Sequence, residues 1–205
     1  MKASVPLHRL RLRPHCRSPE CSSMGVWPVN VTGVVATDAG MFGLWAPASF
    51  DNIVDYSAWE AELLENEDIV RHIVGGAFVP VNIGGDGAFG FGVRVGSASA
   101  PARLTERERR YVLVASESYL LMTTGDAMLS GIEHVRAEAD IGLPIRLPAG
   151  RWRVTISLIE WEAEPGQQDD TGAPAPTALP DFTLLINPED NAAGGYRTNV
   201  HTFDR

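Results

Sequence analysis

From residue 29 to residue 186 the chain repeats one pattern: a short apolar run, a cluster of glycine, aspartate or proline, then another apolar run. Runs at 29–35, 41–45, 78–83, 88–95, 111–115, 119–123, 127–135, 145–147, 151–162 and 182–186 have the lengths and the β-branched or aromatic content of strands. Pro80 places the 78–83 run at a sheet edge or a bulge, because proline has no N–H to give a ladder. Residues 151–162 alternate clearly and predict a long strand with one wet face. Helical spacing is scarce. Residues 57–74 are the best candidate, with Ser57 as N-cap, Glu60 completing a capping box, and a break near Asn66. Trp59, Leu63, Ile69, Val70 and Ile73 form its inward side. Thr105 and Glu108 make a second capping box for one or two turns. The pattern predicts a mostly β fold: an antiparallel two-sheet sandwich, or an open barrel, with one short helix.

Three stretches look alike: VVATDAGMFGLW (34–45), VNIGGDGAFGFGV (81–93) and LLMTTGDAMLSGI (120–132). Each sets an aspartate close to a glycine between apolar runs, which is the chemistry of tight hairpin turns. The aspartates are Asp38, Asp86 and Asp126, spaced too irregularly for a solenoid or propeller. Turn chemistry alone accounts for them. The functional alternative is a polar rim at one end of the sandwich.

Charge divides the chain. The formal net charge is −9, yet residues 1–23 hold Lys2, Arg9, Arg11, Arg13 and Arg17 against Glu20 alone, so residues 24–205 carry −13. The first 23 residues are proline-interrupted and lack the apolar core of a secretory signal. They read as a basic disordered tail or a mis-assigned start, ahead of a single β-rich domain at 24–205. A body this acidic repels phosphate backbones, so nucleic acid is not an expected partner. No apolar run reaches the roughly 20 residues of a membrane-spanning helix, and no membrane partner is expected. Both cysteines, Cys16 and Cys21, lie in the N-terminal stretch, and with His8 and His15 they match no standard zinc spacing. The rest of the chain has no thiol, which is compatible with a cytoplasmic setting.

Several chemistries are excluded. Lys2 is the only lysine, so the body has no Schiff-base, P-loop or Ser-Lys group. Gly84-Gly85-Asp86-Gly87 follows a strand but also precedes one, whereas a dinucleotide fingerprint needs a helix there. His72, His134 and His201 have no G-x-S-x-G elbow to serve, and each reads as a structural or surface histidine. Trp45, Trp59, Trp152 and Trp161 sit at core-like positions, and Trp27 stands near the start of the body. No catalytic residue and no cofactor is expected.

The strongest local signal is an acidic stretch. Between Arg153 and Arg197 there is no lysine or arginine, but there are Glu160, Glu162, Glu164, Asp169, Asp170, Asp181, Glu189 and Asp190. If the alternation of 151–162 continues, Glu160, Glu162 and Glu164 share one face, opposite Ile159 and Trp161. The plain reading is a solvated face followed by a polar loop at 163–181. The functional reading is a docking face for a basic protein, made of Glu160, Glu162, Glu164, Asp169 and Asp170 and anchored by Trp161. A calcium ion on Asp169, Asp170 and nearby carbonyls is a third possibility, although the spacing is not that of an EF-hand. A carboxylate pair of the glycosidase kind is a fourth.

GGDGAFGFGVRV (84–95), TTGDAMLSGIEHV (123–135) and LPAGRWRVTISLIEWE (147–162) together resemble a family of small bacterial proteins with a β-sandwich-like pattern. That family is similar to the competence nuclease inhibitor and to immunity proteins of toxin systems. The resemblance spans about residues 25–190 and carries over no catalytic residue. It implies a non-enzymatic inhibitor or immunity-type partner of a basic protein such as a nuclease. The alternative expectation is a calcium- or carbohydrate-binding sandwich.

Overall fold

A computed structural model describes residues 29–189 and 195–204. Residues 1–23 with Cys16 and Cys21, and also Trp27 and Asp190, lie outside the described residues.

The chain is mostly β, in two sheets. Strands β1 (Val29–Thr37), β4 (Gly87–Val95), β10 (Phe182–Pro188) and β9 (Gly150–Ile159) form one sheet in that order. Two short strands, β5 (Val112–Ala115) and β6 (Tyr119–Thr123), share the outer edge of β9 end to end, making six strands. The second sheet has four, in the order β3 (Phe78–Asn82), β2 (Met41–Trp45), β7 (Ala127–Gly131) and β8 (Leu143–Ile145). Neither sheet closes into a barrel. Pro80 lies in edge strand β3, as its missing N–H requires.

Three expectations change. The ladder is not wholly antiparallel, because β10 runs parallel to β4. There is more than one helix: α1 (Tyr56–Leu63), α2 (Asn66–Val74) and the short α3 (Glu106–Arg110). Most instructive, the three Asp-Gly stretches are not hairpins. β1 and β2 belong to different sheets, as do β3 and β4, and β6 and β7. A tight turn fixes only the reversal of the chain. Whether the next strand pairs with the last one or folds over onto another sheet depends on where its apolar face finds cover.

One buried cluster draws on both sheets. Phe42 of β2 meets Phe89 and Phe91 of β4 edge-on, with ring centroids 5.8 and 5.0 Å apart. Phe91 stacks on Phe182 of β10 at 5.3 Å. Trp45, Trp152 and Trp161 are buried as expected, and Trp59 is half-buried.

Glu108 is the charged residue deepest in the fold among the described residues, 1% exposed. The Thr105–Glu108 capping box forms as its sequence predicts. The same carboxylate takes both Nη atoms of Arg94, at 2.8 and 2.7 Å, and the Thr183 hydroxyl at 3.1 Å. Burial pushes its carboxyl up, but the bonds from Arg94 and Thr105 outweigh burial and leave it below the usual range.

Candidate functional site

The acidic stretch at 160–189 turns partly back on the protein. Strand β9 ends at Ile159, and 161–163 form a 3-10 turn, so the alternation does not continue. Glu160, Glu162 and Glu164 therefore do not share a strand face. The chain turns because Trp161 is drawn inward: the residue is 5% exposed, and its Nε1 donates to Asp181 Oδ1 at 3.0 Å. Trp161 thus belongs to the interior and cannot anchor a partner from the surface. Asp181 also accepts from the Gly90 amide through Oδ2 at 2.7 Å. Glu164 takes Arg107 in a two-pronged pair, at 2.7 Å from Nε and 2.6 Å from Nη2. That pairing holds its carboxyl below the usual range. Glu189 accepts from the Tyr196 hydroxyl at 2.7 Å and pairs with Arg151. The Arg151 bonds, then the Tyr196 bond, bring its carboxyl down to about 2.

Asp169 organises its own loop. Its Oδ1 accepts from the Thr171 hydroxyl, the Thr171 amide and the Ala173 amide at 2.7, 2.8 and 3.0 Å. Asp169, Asp170, Glu160 and Glu162 are all exposed, and Asp169 is engaged as a turn former. Among the described residues no group of three or more His, Cys, Asp or Glu side chains is placed to hold a metal ion.

The turn aspartates do not form one rim. The Gly40 carbonyl accepts from the Ile83 and Gly84 amides, so the Asp38 and Asp86 turns adjoin. The register of β2 on β7 (Phe42 opposite Gly131, Trp45 opposite Met128) puts Asp126 at the other end of the sheet. The left-handed backbone in the first two turns is taken by Gly40 and Gly84, not by the aspartates.

A second acidic region faces outward. β2 and β3 are paired neighbours, and the chain between them leaves the sheet to form α1 and α2 before returning. This excursion carries Asp51, Asp55, Glu60, Glu62, Glu65, Glu67 and Asp68 before its first basic residue, Arg71. Asp55, not Ser57, caps α1, accepting from the Ala58 amide at 2.9 Å. The helix breaks at Leu64 and Glu65, close to the expected position. Leu63, Ile69 and Ile73 are buried on its inner side. Glu62 stitches the pair together, accepting from Asn52 and Arg71 at 2.8 Å each and meeting His72 Nε2 at 3.0 Å. Burial pushes the Glu62 carboxyl up, yet those bonds bring it below the usual range. His72 is thus a satisfied structural histidine. His201 differs: its Nε2 is buried without a partner, and burial lowers its pKa.

On the outer side, Val54 is 76% exposed, Tyr56 68% and Leu64 53%. Tyr56 stacks on Trp59 with centroids 5.8 Å apart and planes 12° apart. Trp59 is locked in turn by its Nε1 bond to the Ile132 carbonyl, 2.9 Å. Next to this pair lies a recess of about 230 Å³, lined by Ile53, Val54, Asp55, Tyr56, Trp59, Glu133, Val135 and Arg136. Glu133 is fixed by the Thr37 hydroxyl at 2.9 Å and the Asp38 amide at 3.0 Å. Glu60 beside Tyr56 raises the phenol's pKa. No arginine or histidine among the described residues forms an ion pair with Asp51, Glu60, Glu65 or Glu67. Sequence reasoning passed over this region, although a signal was available: no lysine or arginine occurs from residue 18 to residue 70.

No protein-family model matches the chain, and no curated protein matches it at a significant level. Two solved structures are similar to it. One is described as crocagin biosynthetic gene J, 14% identical, with a TM-score of 0.56 over 80% of this chain and 99% of that one. The other is ComJ from Bacillus subtilis, an inhibitor of the DNA-degrading activity of NucA, 12% identical, with a TM-score of 0.43 over 78% and 96%. The likeness is one of fold. Among the described residues no helix is long and apolar enough to cross a membrane.

Proposed function

We propose that the protein is a non-enzymatic binding protein that docks a basic protein partner on its α1–α2 face. The observation that carries this reading is the pairing of charge with exposed apolar surface. Seven carboxylates precede the first arginine of the excursion, beside the outward side chains Val54, Tyr56 and Leu64. Aromatic and apolar anchors inside a field of one sign are what a charge-steered interface requires. A cleft that grips phosphate backbones carries the complementary charge, so an inhibitor or immunity-type partner of a nuclease is the specific form of the reading. It takes the two sheets as layers of a sandwich, supported by Phe42 of one sheet lying edge-on to Phe89 and Phe91 of the other.

Glu160, Glu162 and Asp170 are exposed and make the 160–170 segment the competing docking face. The test uses immobilised full-length chain at graded salt, comparing wild type with Glu65→Gln/Glu67→Gln and with Glu160→Gln/Glu162→Gln. A basic protein held at low salt, released at high salt and lost only from the first variant supports the α1–α2 face. Loss from the second variant alone moves docking to the 160–170 segment. Retention that ignores both salt and charge sinks the reading.

A further inference from the structure

We propose that the recess between α1 and the turn after β7 receives the guanidinium of an arginine presented by the partner. This rests on the basic-partner reading above and names the side chain that the face would recognise.

The recess has the parts that such a group needs. One wall is aromatic. Tyr56 is 68% exposed yet not loose, because one face of its ring lies on Trp59 and the Trp59 indole is tied to the Ile132 carbonyl. A planar cation laid on the outer Tyr56 face extends a stack that is already built, so little ordering cost remains. The lining also carries two carboxylates, Asp55 and Glu133. Each is held by the fold, Asp55 by capping α1 and Glu133 by Thr37 and the Asp38 amide. A carboxylate oxygen that accepts one bond keeps a second lone pair, so both remain able to accept from an incoming N–H. The cation within the lining, Arg136, is paired with Asp140, and the His134 ring, beside the lining, stands 3.6 Å from Glu133. The local balance therefore stays negative, with Glu60 adding to it beside Tyr56. Ile53, Val54 and Val135 supply apolar contact for the methylene stem of an arginine.

Arginine suits this recess better than lysine. Its guanidinium is planar, stacks on rings and donates in a fork, whereas an ammonium is a compact and strongly hydrated point charge. A neutral sugar would use the aromatic wall but leave the carboxylates without a charged partner.

The probe is an acetylated, amidated Gly-Arg-Gly-Arg-Gly peptide titrated into the full-length, isotope-labelled protein and followed by amide and indole NMR. Lysine and citrulline versions serve as controls. The Trp59 indole signal is assigned from Trp59→Phe. The arginine peptide should shift that signal saturably, the lysine peptide should bind several-fold more weakly, and citrulline should leave it unmoved. Tyr56→Ala removes an exposed ring, so its melting temperature should hold while affinity for the arginine peptide falls about fivefold. Equal response to arginine and citrulline, or unchanged affinity in Tyr56→Ala, overturns the proposal. The wider reading fails separately. If a basic protein is captured by wild type and Tyr56→Ala alike, the docking face stands and the recess does not. If the arginine peptide binds at Trp59 but no basic protein is held, the recess stands and the partner reading falls.

Discussion

The molecule carries two acidic regions of similar sequence character and different structural use. In the 160–189 segment, Glu164 and Glu189 each meet an arginine, Asp181 bonds Trp161 and Gly90, and Asp169 bonds its own turn, while Glu160, Glu162 and Asp170 are exposed. In the 51–68 segment, Glu62 and Asp68 meet Arg71 and Asp55 caps α1, while Asp51, Glu60, Glu65 and Glu67 form no ion pair among the described residues. A carboxylate that meets an arginine at home contributes to folding and has little field left for a partner. One that stands in solvent beside apolar surface contributes little to folding and keeps its field for whatever approaches. Local density of acidic residues does not separate the two cases. Each region has two carboxylates that meet an arginine, and what separates the second is the apolar surface of Val54, Tyr56 and Leu64 exposed beside it.

The comparison is sharpened first at Glu108, the limit of the inward kind. Glu108→Ala leaves Arg94 uncompensated beside the core and is expected to cost about 3–5 kcal/mol in urea denaturation. A loss below about 1 kcal/mol would show that buried pairing is not what these carboxylates are for. Next comes Asp181→Ala, which strands the Trp161 indole N–H and should cost about 1–3 kcal/mol by the same measurement. It should also release Trp161, read as a red shift in fluorescence.

Acid sharpens it further at Glu189. Its folded pKa of about 2 lies below the ordinary 4.5, so its stabilising contribution is complete above pH 4.5 and is lost as pH falls towards 2. The urea midpoint of wild type should therefore exceed that of Glu189→Gln at neutral pH and converge with it through that window. A constant difference down to pH 2 contradicts the pairing. The smallest stability effect belongs to the outward region. Glu65→Gln/Glu67→Gln should change stability by only about 0.5 kcal/mol, mostly through the α2 dipole. The same change should reduce both partner affinity and its dependence on salt, measured by calorimetry at two ionic strengths. If this pair destabilises as much as Asp181→Ala, the contrast between the regions collapses.

Much of the fold was legible. The apolar runs became strands, Pro80 fell at an edge, and the Thr105–Glu108 box closed. These are consequences of side-chain period and of backbone donors within a few residues, which travel with the local sequence. The site was less legible. Ser57 was the expected cap of α1, but Asp55 begins the helix two residues earlier, because either side chain can accept from an amide three residues on. Glu160, Glu162 and Glu164 looked like one wet face only while β9 was assumed to run on. Trp161 ends it, since burying an indole and bonding its N–H to Asp181 outweighs one more pair of ladder bonds. The acidic excursion at 51–68 was present as a long interval without lysine or arginine, and what hid it was its helical, half-apolar character.

By itself the sequence determined the alphabet of this protein: short strands, Asp-Gly reversals, a capped helical stretch and an acidic body without lysine. Those properties follow from chain geometry and composition and need no distant partner. The tertiary structure alone decided that the three reversals carry the chain between sheets, that β10 lies parallel to β4, and that Trp161, Glu164 and Asp181 turn back on the protein while Tyr56 and Leu64 face solvent. Each of these depends on pairing residues far apart in the chain, such as Arg107 with Glu164 or Phe42 with Phe91, and only burial of a shared core selects among such pairings.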